Sequence, residues 1–272
     1  MSSMRHLRLD PSERRPLLRS QTSSDERPTT SPATTIVEWQ GIRILTDPNF
    51  LHAGDHVHLG PGVTARRKTN PAVDLDELPA LDCVLLSHYH EDHFDQLLEK
   101  SLNRNFNIIT TPHAKGCLTS KESKDNPFQA VHALDVFDSM MIYIDDEKHA
   151  HPGGHDRIPA VKITGMPGKH VPPGPLSVLN DLLQAVPPTN GWMLELGHTF
   201  KPPSGGQPES LDTGYRIYIS GDTLFVDDDY SVFLSPLSDF KRKANEQGWA
   251  ERVVYLNRGQ QFRFKGGGNL DT

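Results

Sequence analysis

The stretch that most limits what this chain can fold into is an apolar strand that runs straight into a cluster of metal-binding side chains. Leu81-Asp82-Cys83-Val84-Leu85-Leu86 is nearly continuous in apolar character, the pattern of a strand covered on both faces. Ser87 follows, and then His88-Tyr89-His90-Glu91-Asp92-His93. Imidazole and carboxylate suit zinc, with iron and manganese as near competitors. In an extended segment His88 and His90 project to the same side, so both can grip one ion. Asp92 and His93 lie where a helix is expected to begin, because Phe94, Leu97, Leu98 and Leu102 carry helical spacing. From there their side chains can turn towards a second ion. Two ions roughly 3.5–4 Å apart can share a hydroxide and clamp the attacking and leaving oxygens of a substrate. A solvated His-rich turn is the bland alternative, and four candidate ligands packed behind an apolar strand argue against it.

Around this run the chain alternates strands with a few helices, which predicts an α/β domain with mixed sheets. Residues 1–31 are rich in Ser, Thr, Pro and Arg without apolar periodicity and read as a disordered tail. The domain is expected over 32–265, and 266–272 as a flexible end. Residues 34–39 and 42–46 flank Gln40-Gly41, a hairpin signature. Residues 48–80 read as a long loop. Strands are expected at 107–110, 131–136, 140–144, 160–164, 192–196 and 215–220, with a helix at 112–120 and a loop over 198–214. Beyond Asp222 a helix near 236–247 and strands near 252–256 and 261–264 are expected.

His88-x-His90-x-Asp92-His93 after a Leu-Leu-Ser strand end resembles the signature of the metallo-β-lactamase superfamily. Other pieces match in order: Leu45-Thr46-Asp47-Pro48, Gly168-Lys169-His170 and Ile219-Ser220-Gly221-Asp222-Thr223. The flavour is most similar to the branch that holds ascorbate-6-phosphate lactonase and N-acyl-phosphatidylethanolamine phospholipase D. The resemblance spans about residues 33–264 and implies a four-layer αβ/βα sandwich with the site at one edge between the sheets. It implies that His88, His90 and His170 bind a first ion, and Asp92 and His93 a second. Asp222 would lie between the ions and Asp47 would support them from behind. The implied nucleophile is a metal-held hydroxide beside Asp92, acting on an ester, lactone or phosphodiester of a small molecule. The local alternatives are a turn-forming Gly-Asp at Asp222, a loop histidine at His170 and a turn cap at Asp47 before Pro48.

The chain departs from that pattern after the bridging aspartate. The family continues through a strand, a helix and another strand ending in a final histidine. Here Val226-Asp227-Asp228 runs straight into Asp229-Tyr230-Ser231, and no histidine follows His198. An internal deletion near 226–229 is therefore expected, leaving the C-terminal half of the sandwich incomplete and the second ion weakly held. His198 or a loop histidine is the candidate replacement. His149, His151 and His155 read as a solvated loop, and His52, His56 and His58 as loop residues near the mouth of the site.

Composition narrows the function classes. The net charge is −7, from 28 basic and 35 acidic side chains, which argues against a nucleic-acid backbone as the main ligand. No apolar run approaches the roughly 20 residues of a membrane-spanning helix. Two cysteines, Cys83 and Cys117, cannot build a disulfide framework, so a reducing compartment is expected. That compartment is the cytoplasm by default. Six arginines before residue 28 make mitochondrial import the alternative, against which Asp10, Glu13, Asp25 and Glu26 count. The functional expectation is a metal-dependent hydrolase. Its competitors are a catalytically impaired member that binds metal or a partner, and a nuclease of the same superfamily.

Overall fold

A computed structural model describes residues 4–9, 34–60, 63–121, 126–144, 157–171, 186–200 and 210–223, with isolated positions elsewhere. The first sheet of the chain is built on β2 (Thr35–Trp39) and β3 (Ile42–Thr46), the predicted hairpin. β6 (Cys83–Leu85), β7 (Asn107–Thr110) and β8 (Val131–Ala133) then add in parallel to β3, giving the order β2-β3-β6-β7-β8. Parallel neighbours need crossovers, and two short helices lie in those from β6 to β7 and from β7 to β8. Helix α1 (Gln96–Ser101) starts on Asp95, whose carboxylate accepts the Leu98 N–H at 2.7 Å. Helix α2 (Pro112–Thr119) starts on the Thr111 hydroxyl, with Pro112 in its first turn where no N–H is missed.

The second sheet runs β1-β9-β10-β11-β12. Its strands are β1 (Arg5–Leu9), β9 (Ser139–Ile144), β10 (Arg157–Pro167), β11 (Asn190–Phe200) and β12 (Asp212–Ile219). Strand alternation sorts the side chains. Ile42, Ile44, Cys83, Leu85 and Ile109 face Met140, Ile142, Ile163, Trp192 and Leu194 across the gap between the sheets. The neighbouring residues Leu45, Val84, Leu86 and Ile108 point the other way, onto Leu98 and Leu102 by α1 and Ala114 and Leu118 of α2. A strand with both faces covered explains the unbroken apolar run at 83–86.

Three expectations are corrected. Residues 5–9, placed in a disordered tail, form β1 and pair in parallel with β9; Leu9 is buried, so even a short alternating strand pays its way against a ready sheet edge. The remainder of that tail, 10–33, lies outside the described residues. The loop over 48–80 contains a second hairpin, β4 (His56–Gly60) and β5 (Val63–Arg66), with Val57 buried beneath it. The loop over 198–214 is shorter than expected, because β11 runs to Phe200 and β12 begins at Asp212, with a bulge at Leu196/Gly197 that absorbs the glycine. The expected deletion at 226–229 and most of the helix near 236–247 fall outside the described residues; of the strand expected at 261–264 only Gln261 and Arg263 are described, and neither is in a strand. At the expected strand near 252–256 only Arg252 is described, and it ends a 3-10 turn. No helix among the described residues is long and apolar enough to cross a membrane.

Candidate metal centre

The strand ends of both sheets meet at one place. β3 and β6 are parallel, so Asp47 and Ser87 leave them side by side, and the Ser87 N–H donates to Asp47 Oδ1 at 2.7 Å. From the opposite sheet Asn190, the first residue of β11, donates its N–H to the Ser87 carbonyl at 3.1 Å. Asp222 follows β12 by way of Gly221, which has φ +55. A Cβ on Gly221 would sit 2.8 Å from Ser87 Cβ, so only glycine lets this segment come so near.

Four imidazoles gather here. The His88 ring centroid lies 4.3 Å from that of His93, 5.1 Å from His170 and 5.8 Å from His90. Carboxylates separate them. His93 Nε2 lies 3.0 Å from Asp222 Oδ1, and His170 Nε2 lies 3.5 Å from Asp222 Oδ2. His90 Nδ1 bonds Asp92 Oδ1 at 2.6 Å. Behind His93, Nδ1 lies 3.1 Å from Asp47 Oδ2, a charge contact rather than an aligned hydrogen bond. Asp47 holds a left-handed backbone, φ 35, so that both carboxylate oxygens face the motif.

The electrostatics divide these groups. Burial, reinforced by the neighbouring His93 and His170, pushes the His88 pKa down to about 3, so this ring is neutral. Burial also lowers His170, although Asp222 and Asp92 oppose it. His93 goes the other way: burial opposes its charge, but Asp222 and Asp47 lift its pKa to about 11. The Asp222 carboxyl is held well below the usual carboxylate range, His93 outweighing burial. Asp92 is lowered too, where His90 and His93 outweigh burial.

The seven residues that the resemblance nominated, His88, His90, Asp92, His93, His170, Asp222 and Asp47, are within this cluster or against it. Three sets offer donor atoms within 4.8 Å of one another: His88, His170 and Asp222; His88, His90 and Asp92; and Asp92, His93 and Asp222. His88 belongs to two of them, and its Nε2 is buried without a hydrogen-bonding partner. A buried ring nitrogen left bare beside carboxylates and further imidazoles fits a divalent cation.

His198 is a correction. It sits at the far end of β11, eight residues from Asn190 and so roughly 26 Å away along the strand. There its Nε2 bonds Gln40 and its ring meets Trp39 edge-on. His52 is paired with Asp74, and the His58 backbone N–H is bonded to Glu91. His149, His151 and His155 lie outside the described residues.

Sequence reasoning missed Ser87, Thr189 and Asn190, which close the site from behind, and Glu91 and Asp95, which tie the loop after β3 to the motif. Glu91 accepts the His58 N–H at 2.8 Å, and Asp95 accepts that of Phe50 at 2.6 Å. A local signal existed only for Asp95, an N-cap type just before an apolar helical repeat.

A family model described as "Beta-lactamase superfamily domain" matches residues 31–211. The chain belongs to the metallo-β-lactamase superfamily. Its paired sheets and outer helices are the αβ/βα fold of that superfamily, a family of hydrolases. Over 57 residues it is 42% identical to the mitochondrial N-acyl-phosphatidylethanolamine-hydrolyzing phospholipase D of Saccharomyces cerevisiae, spanning 21% of this chain and 11% of that protein. An uncharacterized protein of Mycobacterium tuberculosis is 40% identical over 63 residues, 23% of this chain and 16% of the relative. The UPF0173 protein YddR of Bacillus subtilis is 23% identical over 261 residues, 85% of this chain and 97% of that one. The matched segments thus cover a small part of the first two relatives. Among solved structures, an isothiocyanate hydrolase from Delia radicum gut bacteria is 17% identical with a TM-score of 0.44. It covers 80% of this chain and 66% of its own.

Proposed function

We propose that this member of the metallo-β-lactamase superfamily is a metal-dependent hydrolase of a small molecule bearing an ester, lactone or phosphodiester. The observation that carries the reading is the bare, buried His88 Nε2 at the centre of three overlapping donor sets. His88, His90 and His170 would hold one ion, and Asp92 and His93 a second, with Asp222 reaching both. Zinc suits this mixture of imidazole and carboxylate, with manganese and iron as competitors. A divalent ion at such a site supplies Lewis acidity and brings the pKa of water to near 7.

The protein's own groups do the rest. His90 bonds Asp92 Oδ1, so Oδ2 is the oxygen that would hold the second ion, or would accept a proton from water were that ion absent. Asp92 is ionised at neutral pH, as either role requires. Asp47 fixes His93 from behind, and the loop after β3 is fastened to the motif through Glu91 and Asp95. The branch whose yeast member hydrolyses N-acyl-phosphatidylethanolamine supports a phosphorylated or lipid-like substrate over a β-lactam. Cys83 is a buried thiol within β6, in keeping with a reducing compartment such as the cytoplasm.

The test is elemental analysis of freshly purified protein, followed by a panel of ester, lactone and phosphodiester substrates. At least one equivalent of metal, with turnover abolished in His88→Ala, is the expected result. Metal-free protein without turnover after zinc is supplied would end this reading.

A second reading rests on the missing histidine. None follows His198, and His198 itself is engaged with Gln40 and Trp39. The set around Asp92, His93 and Asp222 then contains one imidazole, and a chain shortened near 226–229 would hold its second ion weakly and bind without turnover. One tightly held equivalent and no hydrolysis would favour it.

A further inference from the structure

We propose that Ser87 and Thr189 are positioning residues that clamp His88 from the two sheets, so that the metal affinity of the site depends on a pair of hydroxyls. This rests on the reading that His88 Nε2 binds an ion. The opposite ring nitrogen, His88 Nδ1, lies 2.9 Å from Ser87 Oγ and 3.4 Å from Thr189 Oγ1. Those hydroxyls belong to different sheets, and Thr189 is 101 residues from His88 in the chain. Ser87, His88 and Thr189 are all buried, at 0%, 0% and 4% exposure, so water has little access to replace either hydroxyl.

An imidazole that binds metal through Nε2 carries its proton on Nδ1, and the partner of that proton sets the ring's rotation. Carboxylates or backbone carbonyls are common partners for such a nitrogen. Here two neutral hydroxyls take that place, each of which can accept the Nδ1 proton. They leave the ring uncharged on that side, in keeping with the neutral His88 described above.

Both hydroxyls are themselves held, and by the segments that carry other candidate ligands. The backbone of Ser87 is fixed by Asp47 on its N–H and by Asn190 on its carbonyl. Its side chain is boxed by Gly221, immediately before Asp222. Thr189 is boxed by Gly168, two residues before His170: a Cβ there would lie 2.3 Å from the Thr189 carbonyl and 3.0 Å from its Cγ2. The hydroxyl clamp therefore connects the orientation of His88 to the segments that deliver His170 and Asp222. Any change in the seating of one sheet on the other is felt at His88.

The experiment is zinc titration of the full chain against a chromophoric chelator, comparing the parent with Ser87→Ala, Thr189→Val, the double variant and Thr189→Ser. The shorter bond predicts about a 10-fold loss of zinc affinity for Ser87→Ala, the range seen when a supporting partner of a metal-bound histidine is removed. Thr189→Val should cost less, because Ser87 still holds the nitrogen. Because both hydroxyls serve one atom, the same Thr189→Val change should cost more in the Ser87→Ala background. Thr189→Ser keeps the hydroxyl and should bind as the parent does. The His88 ring nitrogen resonances of the zinc-loaded protein should shift in Ser87→Ala and Thr189→Val and stay in place in Thr189→Ser. Melting curves of the metal-free variants separate a clamp from a packing defect. Parent-like affinity and resonances in the double variant would overturn the clamp while leaving the hydrolase reading intact. Loss of affinity in Thr189→Ser equal to that in Thr189→Val would also overturn it, showing that shape and not the hydroxyl matters. A parent chain that takes up no zinc would overturn both.

Discussion

At the scale of single residues, the site is governed by one carboxylate that faces two ways. Asp47 accepts the Ser87 N–H on one oxygen and meets His93 on the other. Asp47→Asn keeps the size but turns one oxygen into an N–H donor, which cannot satisfy both neighbours. Zinc affinity should fall by about 10–100-fold, measured by competition with a chelator, with the circular dichroism spectrum unchanged. An unchanged affinity would mean that Asp47 only caps the turn before Pro48. His88, His90, Asp92 and His93 were legible because their spacing is local: a strand end and a turn suffice to bring them together. Asp47, His170 and Asp222 were legible only by resemblance. Ser87 and Thr189 were not legible at all, since a serine and a threonine become ring clamps only when two sheets meet.

At the scale of elements, strands were read well where apolar alternation was unbroken and poorly where glycine or proline interrupted it. Gly165 and Pro167 end the apolar pattern of β10, yet the strand runs through them because Gly165 lies against the Asp135 carbonyl, where a Cβ would be 2.5 Å away. The hairpin β4–β5 was hidden by Gly60-Pro61-Gly62, although His56-Val57-His58-Leu59 alternates on its near side. The segment after β12 is equally dependent on a glycine. Gly221→Ala imposes a left-handed backbone on a Cβ residue and pushes that Cβ against Ser87. A loss of at least about 1–3 kcal/mol is expected, read as a lowered midpoint in urea unfolding.

On the outer face of the second sheet, Glu195 of β11 bridges Lys162 of β10 at 2.9 Å and Arg216 of β12 at 3.0 Å. Burial works against its charge, but Lys162 and then Arg216 hold the carboxyl below its ordinary range. A lowered folded pKa stabilises the protein above the free value of about 4.3, and that contribution is lost as pH falls through the folded value. Glu195→Gln should therefore melt below the parent at pH 7, and the gap should close as the pH is taken below 4. A gap independent of pH would show that the ladder contributes through packing alone.

At the scale of the whole molecule, the α/β class followed from strands alternating with helices, while the partition into two facing sheets followed only from the resemblance. Pairing order is set by contacts far apart in the chain, which no local pattern carries. The candidate ligands come from both sheets, so an ion there would join them as a crosslink does. Zinc at 100 times its dissociation constant should stabilise the fold by about 2.7 kcal/mol. For a chain of this size that corresponds to a melting temperature higher by roughly 5–10 °C, reversed by excess chelator. Equal melting temperatures with and without zinc would place any bound ion outside the seam.

Strand β1 gives this architecture a schedule. Its partner is β9, and Arg5 finds the Ala133 carbonyl and the Asp138 carboxylate across 128 and 133 residues of chain. At a synthesis rate of about 5–20 residues per second, β1 is made roughly 7–27 s before its neighbour. β1 is thus made well before the strand it pairs with, and for that interval its Leu7 and Leu9 have no sheet to pack against.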